Sequence, residues 1–135
     1  MRFADTNVLL YAISADPQER AKREEANAIL AARDLVLSAQ VPQEFYVQAT
    51  RRSRPDRLTH PQAAGLVESF LRFRVVEITG GLVLSALAAR ERFEISYWDA
   101  AILEAARAAG CEVLLSEDLS DGQDYAGVRV ENPFG

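Results

Sequence analysis

Four carboxylates interrupt the most apolar segments of this sequence: Asp5 in RFADTNVLLYA, Glu44 in VPQEFYV, Asp99 in SYWDAAIL and Asp118 in VLLSEDL. A carboxylate set among buried residues must be hydrogen-bonded, protonated or paired with a cation. Hard oxygen ligands without His or Cys nearby suit Mg²⁺ or Mn²⁺ better than zinc. The chemistry open to such a set is that of a divalent metal centre. Each acid alone also has a structural explanation. Asp5 precedes an apolar stretch as a helix cap does, Ser96 and Asp99 have the spacing of a capping box, and Asp118 lies in turn-like residues 116–122. Glu44 fits such a role least, because it flanks the apolar stripe of Val41 and Phe45.

The elements that must position these acids alternate in type. Strand-like runs occur at residues 2–4, 35–38, 75–78, 112–115 and, more weakly, 128–130. Between them, residues 17–33 are rich in Ala, Glu and Arg, as a solvent-facing helix is. Val41, Phe45 and Ala49 repeat on one helical face, as do Ala64, Val67 and Leu71. Residues 82–92 form a further helical stretch after Gly80 and Gly81. Residues 96–109 put Trp98, Ile102, Ala105 and Ala109 on one side and stop at Gly110, a helix terminator. Strands alternating with helical segments predict an α/β fold, a three-layer α/β/α sandwich with a mainly parallel sheet of about five strands.

That architecture would bring the acids together. Ligands of such sheets bind beyond the carboxyl ends of the strands. Asp5 and Asp118 follow their strands directly, and Glu44 is expected in the first turn of the helix leaving the second strand. Asp99 opens the helix that runs antiparallel to the fourth strand, so it faces the same edge. Two unit charges about 4 Å apart in an effective dielectric of about 20 repel by roughly 4 kcal/mol. A cluster of carboxylates on one rim therefore calls for protonation or a cation.

The bulk numbers bound the rest. At 135 residues and 49% hydrophobic, the sequence is expected to be a single domain over residues 1–135 with one core. No apolar stretch approaches the roughly 20 residues of a membrane helix, and residues 1–13 lack a signal-peptide layout, so no membrane partner and a cytoplasmic location are expected. Cys111 is the only cysteine and is expected to be a small buried hydrophobe; His60, the only histidine, has no partner for a zinc site. The net charge of −5 argues against a nucleic-acid partner only at first sight, because the bases are grouped, with Arg51, Arg52, Arg54 and Arg57 in RRSRPDR. Two divalent cations would offset most of the negative balance.

The opening ADTNVLLYA, the segment SAQVPQE before Phe45, the helix SYWDAAILEAA and the strand end LLSEDL together resemble PIN-domain ribonucleases, in particular the VapC-like toxins of bacterial toxin–antitoxin pairs. The resemblance covers essentially the whole chain. It implies a metal-dependent endoribonuclease that hydrolyses RNA phosphodiester bonds with Mg²⁺ or Mn²⁺ held by Asp5, Glu44, Asp99 and Asp118. Metal ions held by these carboxylates would lower the pKa of an attacking water, neutralise the scissile phosphate and stabilise the departing oxygen. Glu117 and Asp121 stand close enough to compete with Asp118 for the last place. Thr6 and Asn7 match the family opening and would support Asp5 and its turn, or simply start a helix. Arg51, Arg52 and Arg54 would hold flanking phosphates, against the alternative of a solvated loop. A homodimer and a cognate VapB-like antitoxin are also implied.

Three other functions stay open at this level: a non-catalytic binding module with an acidic pocket, a housekeeping PIN nuclease, and an aspartyl-phosphate phosphatase or receiver. The last lacks a second aspartate two places after Asp5, and its only lysine is Lys22.

Overall fold

The computed structural model describes residues 1–135. It opens with β1 (Arg2–Ala4), α1 (Thr6–Ala12), a short 3₁₀ turn at Pro17–Glu19 and α2 (Arg20–Ala31). There follow β2 (Leu35–Ser38), α3 (Gln40–Ala49), α4 (His60–Phe70) and β3 (Arg74–Val76). The second half holds α5 (Gly80–Phe93), α6 (Tyr97–Ala108), β4 (Val113–Leu115), β5 (Asp124–Tyr125) and β6 (Val128–Glu131).

The strands form one sheet in the order β3-β2-β1-β4-β6-β5, parallel throughout except for β5, which pairs antiparallel with β6. The α/β fold is as the alternation predicts, with six strands instead of about five. The extra one, β5, is two residues long, too short to leave a periodic pattern. It joins β6 through Ala126 and Gly127, which take φ of 53° and 99°, as a two-residue hairpin turn of this hand requires. Ala126 lacks glycine's freedom there. Arg107 secures it, donating from Nη1 to Ala126 O at 2.6 Å and from Nη2 to Tyr125 O at 2.7 Å.

The order of strands fixes where the helices lie. The chain moves from β1 to β2 to β3 in one direction, then returns to place β4 on the other side of β1. Parallel crossovers are right-handed, so the reversal puts the α1–α4 crossovers on one face of the sheet and α5 with α6 on the other. It also creates a switch point between β1 and β4, the place where sheets of this kind bind ligands.

The core is built from Phe3, Leu37, Phe45, Ile102, Leu103, Leu114 and Leu115, all essentially without solvent contact. Truncating any one of these to alanine would cost about 2–5 kcal/mol. Cys111 is buried among them as expected. Ala86 and Ala89 of α5 meet Ala100 and Ala101 of α6, and these small side chains let the two helices approach closely. No helix is long and apolar enough to cross a membrane.

Two expected faces reach the core only in part. On α4 the buried side chains are Ala63 and Phe70; of the 64/67/71 stripe, Val67 is half-buried against the core while Leu71 is 53% exposed. Phe70 packs edge-on against Phe45 with centroids 4.9 Å apart; the larger ring takes the buried place. On α6, Ile102, Ala105 and Ala109 are buried but Trp98 is 64% exposed. A strand of three or four residues spans about 10–13 Å and a helix of twelve about 18 Å, so the first turn of α6 overhangs the sheet and Trp98 has no strand beneath it.

Candidate metal centre

Asp5 is the first residue past β1. Its backbone N–H donates to Leu115 O at 3.0 Å, which ties it to the end of β4. The side chain caps α1: Oδ1 accepts from Thr6 N at 2.7 Å, and Oδ2 accepts from Ser116 Oγ at 2.8 Å. Capping and clustering are therefore done by one side chain. Both oxygens are oriented, and the group is 5% exposed. Burial pushes its pKa up to about 7; the bonds from Ser116 and Thr6 oppose that rise, and the charges of Asp118 and Glu44 add to it.

Asp99 stands at the start of α6, where the N-cap Ser96 accepts from Asp99 N at 3.1 Å. Only that half of a capping box forms, in contrast to α4, where Thr59 and Gln62 bond reciprocally. The Asp99 carboxylate is thus not drawn back to the backbone. Its pKa is raised by burial, lowered in part by Ser96 and raised again by Asp118. Asp118 comes in from the end of β4, its N–H donating to Ser116 Oγ at 3.1 Å and its Oδ2 lying 3.4 Å from Asn7 Nδ2. Carboxylate oxygens of Asp5, Asp99 and Asp118 lie within 4.8 Å of one another.

Ser116 joins two of these acids, donating to Asp5 and accepting from Asp118 N, and is fully buried. Sequence reasoning passed over it. The signal was there in retrospect: a hydroxyl closing the run VLLS, two places before an acid, with no reason to be polar unless something buried needs its proton.

Three neighbouring acids stand outside this trio. Glu44 lies in the second turn of α3, because that helix starts already at Gln40, and Gln40 Nε2 donates to its Oε1. It is outside the trio but close enough for its charge to raise the Asp5 pKa. Glu117 accepts from Tyr11 Oη at 2.6 Å and from Lys22 Nζ at 3.0 Å. Burial would raise its pKa, but those two bonds and the lysine charge outweigh it and hold the group low. Asp121 accepts from Asn132 N at 2.8 Å and organises the turn before β5.

The donor set fits a hard divalent cation. The trio offers only oxygen, with no nitrogen or sulfur ligand beside it. Thr6 Oγ1 and Asn7 Oδ1, next to Asp5 in sequence, are buried without a protein partner. Such oxygens suit the water shell that Mg²⁺ keeps when a protein binds it through few carboxylates.

The PIN domain family profile matches residues 2–120. The chain belongs to the PIN domain family. Solved structures of similar fold include the Mycobacterium tuberculosis VapC20, a sarcin-ricin loop cleaving toxin, at 20% identity and TM-score 0.67 over 87% of this chain and 92% of that one. A toxin–antitoxin complex from Klebsiella pneumoniae matches at 21% identity and TM-score 0.70 over 98% of each chain. VapBC2 from Rickettsia felis, bound to a DNA fragment from its promoter, matches at 19% identity and TM-score 0.66 over 97% of each chain. At these identities the likeness speaks for the fold. No curated protein matches the sequence.

In this PIN domain the arginine segment lies on the loop between α3 and α4. Arg51 and Arg52 are exposed, whereas Arg54 pairs with Asp56 at 3.0 Å. Asp56 also accepts from Ala15 N at 3.0 Å, fastening the loop to the segment after α1. The ten residues of α3 span about 15 Å, so the loop stands roughly a helix length from the start of α3 at the rim.

Proposed function

We propose that this PIN domain is a metal-dependent endoribonuclease, the toxin of a toxin–antitoxin pair, working in the cytoplasm as one domain over residues 1–135. The observation that carries this is the convergence of Asp5, Asp99 and Asp118 at the sheet's switch point with no basic side chain among them. Those three would hold Mg²⁺ or Mn²⁺, and Glu44 is the fourth acid of the site. When bound, the cation supplies charge neutralisation at the scissile phosphate and a lowered pKa for the attacking water.

The chain's own residues do the rest. Ser116 and the Thr6 N–H fix both oxygens of Asp5, so the ligand is oriented before anything binds. Glu44, aimed by Gln40 and left out of the trio, orients the water as general base. Thr6 and Asn7 support the solvent shell beside Asp5. Arg51 and Arg52 hold flanking phosphates, while Arg54 keeps their loop in place through Asp56. A VapB-like antitoxin and a second copy of the chain are the protein partners, in line with the toxin–antitoxin complexes among proteins of the same fold.

Purified protein is expected to cleave RNA with Mg²⁺ or Mn²⁺ and to stop when a chelator is added. Calorimetric cation binding without cleavage of any RNA across both metals would instead identify a binding module.

A further inference from the structure

The rim beside the acids carries one side chain that neither the core nor the metal site uses. Trp98 is 64% exposed, although it directly precedes Asp99 in the first turn of α6. It sits on a helix and not on a loop. Tyr97 packs edge-on to it with centroids 5.1 Å apart, and its carbonyl lies 3.5 Å from Gln40 Nε2. Beside it is a hollow of about 330 Å³ bordered by Gln40, Gln43, Glu44, Val47, Gln48 and Trp98. Glu44 borders the hollow and its charge reaches Asp5, and Trp98 directly precedes Asp99, so the hollow adjoins the acidic rim.

The lining selects what would enter. It contains no Lys or Arg, and Glu44 would repel a phosphate, so this is not an anion site. Trp98 and Val47 are its only apolar members, whereas the apolar lining that anchors a protein partner belongs to the larger hollow adjoining it at Gln43 and Val47, bordered by Pro42, Tyr46, Val67 and Leu71. An exposed aromatic face ringed by carboxamides suits a flat, uncharged group with donors and acceptors on its edge. A nucleobase is that group: it stacks on aromatic rings, and Gln amides bond base edges.

We infer that Trp98 with Gln43 and Gln48 of α3 forms a subsite for one unstacked base of single-stranded RNA, next to the phosphodiester at the acids. This rests on the ribonuclease reading and deepens it, since it makes a free base face part of substrate recognition. A base inside a duplex has no face to offer, so the subsite favours loops and single strands.

Trp98 is the only tryptophan, so fluorescence excited at the red edge, where the four tyrosines do not absorb, reports this side chain alone. In chelator, where no cleavage occurs, a mixed-sequence single-stranded RNA 12-mer should quench that fluorescence to saturation. The same RNA as a duplex, or with its bases removed, should not. By anisotropy of labelled 12-mer, Trp98→Ala should bind about five- to a hundredfold more weakly, the range set by loss of one base stack, and Trp98→Phe should recover most of the affinity. With metal, Trp98→Ala should raise KM and leave kcat near wild type. Cleavage by the wild-type protein with no quench and no loss in Trp98→Ala would overturn the subsite and leave the nuclease standing. Failure to bind or cleave any RNA would remove both. A quench that follows protein concentration instead of RNA would assign Trp98 to a contact between copies and also overturn the proposal.

Discussion

Glu117 and Asp118 are neighbours in sequence and opposites in electrostatics. Glu117 points to one side, where Lys22 and the Tyr11 hydroxyl meet it, and its pKa is held low although burial works against them. Lys22 also lies over the Tyr11 ring at 4.7 Å, so the cation is shared between carboxylate, hydroxyl and aromatic face. Asp118 points to the other side, toward Asp5 and Asp99, where the only help is hydroxyl, amide and backbone N–H. The first cluster carries its counter-charge within the chain. The second does not, and there burial, with the charges of Asp118 and Glu44 adding to it, pushes the Asp5 pKa up to about 7. An unmet demand for positive charge beside a met one separates a binding site from a structural ion cluster more clearly than the number of acids does.

The contrast is broken most directly by neutralising one side at a time. Asp5→Asn, Asp99→Asn and Asp118→Asn should each lower RNA cleavage by more than about a hundredfold, since loss of an outer-shell partner alone costs about 10- to 100-fold. Circular dichroism should show all three still folded. Glu117→Gln should retain most activity. If Glu117→Gln were as inactive as Asp118→Asn, the division between the two clusters would fail.

The next largest effect is on stability. Folding raises the Asp5 pKa from 3.8 to about 7, so the folded chain binds that proton more tightly than the unfolded one. This contribution is complete below about pH 4 and is lost as pH rises through about 7, on the order of 4 kcal/mol in total. Thermal unfolding of metal-free protein should show Tm falling over that window, and Asp5→Asn should flatten the profile. Added Mg²⁺ should raise Tm more at pH 8 than at pH 5, because the cation competes with the proton. A metal-free Tm that rises between pH 5 and 8 would contradict the uncompensated cluster.

Lys22→Met tests whether the satisfied cluster steadies the other one. Without the lysine, Glu117 loses a bond and a counter-charge, and the chain segment that carries Asp118 loosens. Mn²⁺ affinity, measured by calorimetry, should drop about tenfold, within the range for outer-shell partners. The smallest effect concerns the arginine loop. Arg51→Ala and Arg52→Ala should each weaken RNA binding evenly across sequences, and each should reduce the slope of log K against log salt by about 0.7, the value for one phosphate contact on a single strand. An unchanged slope would mark the loop as plain solvated surface.

Much of this is legible in the amino-acid sequence. The apolar runs of β1, β2 and β4 and the amphipathic stripe of α3 mark their elements, because a half- or fully buried segment must repeat its apolar residues at the period of its backbone. Asp5, Asp99 and Asp118 could be placed on one rim from element order alone, since a parallel sheet sends every strand end to the same edge. Glu44 stands one turn later in α3 than the sequence suggests, because Gln40 and Pro42 in the first turn give no capping signal to mark its start. The Leu71 end of the α4 stripe and Trp98 lie open for a shared reason. Periodicity says that a helix has an apolar face, but the choice between stripes about 100° apart, and the level at which the sheet beneath ends, depend on neighbours distant in sequence.

The amino-acid sequence by itself determined the α/β class, the order of elements and the acids that interrupt them, because backbone periodicity and strand direction are local properties of the chain. The tertiary structure alone decided that Ser116 bridges Asp5 and Asp118, that Glu117 belongs to Lys22 while Asp118 belongs to the rim, and that Trp98 stands open beside them. Each of these depends on which groups meet across long stretches of chain, and the energy of a charge or a hydroxyl is set by the partner it meets.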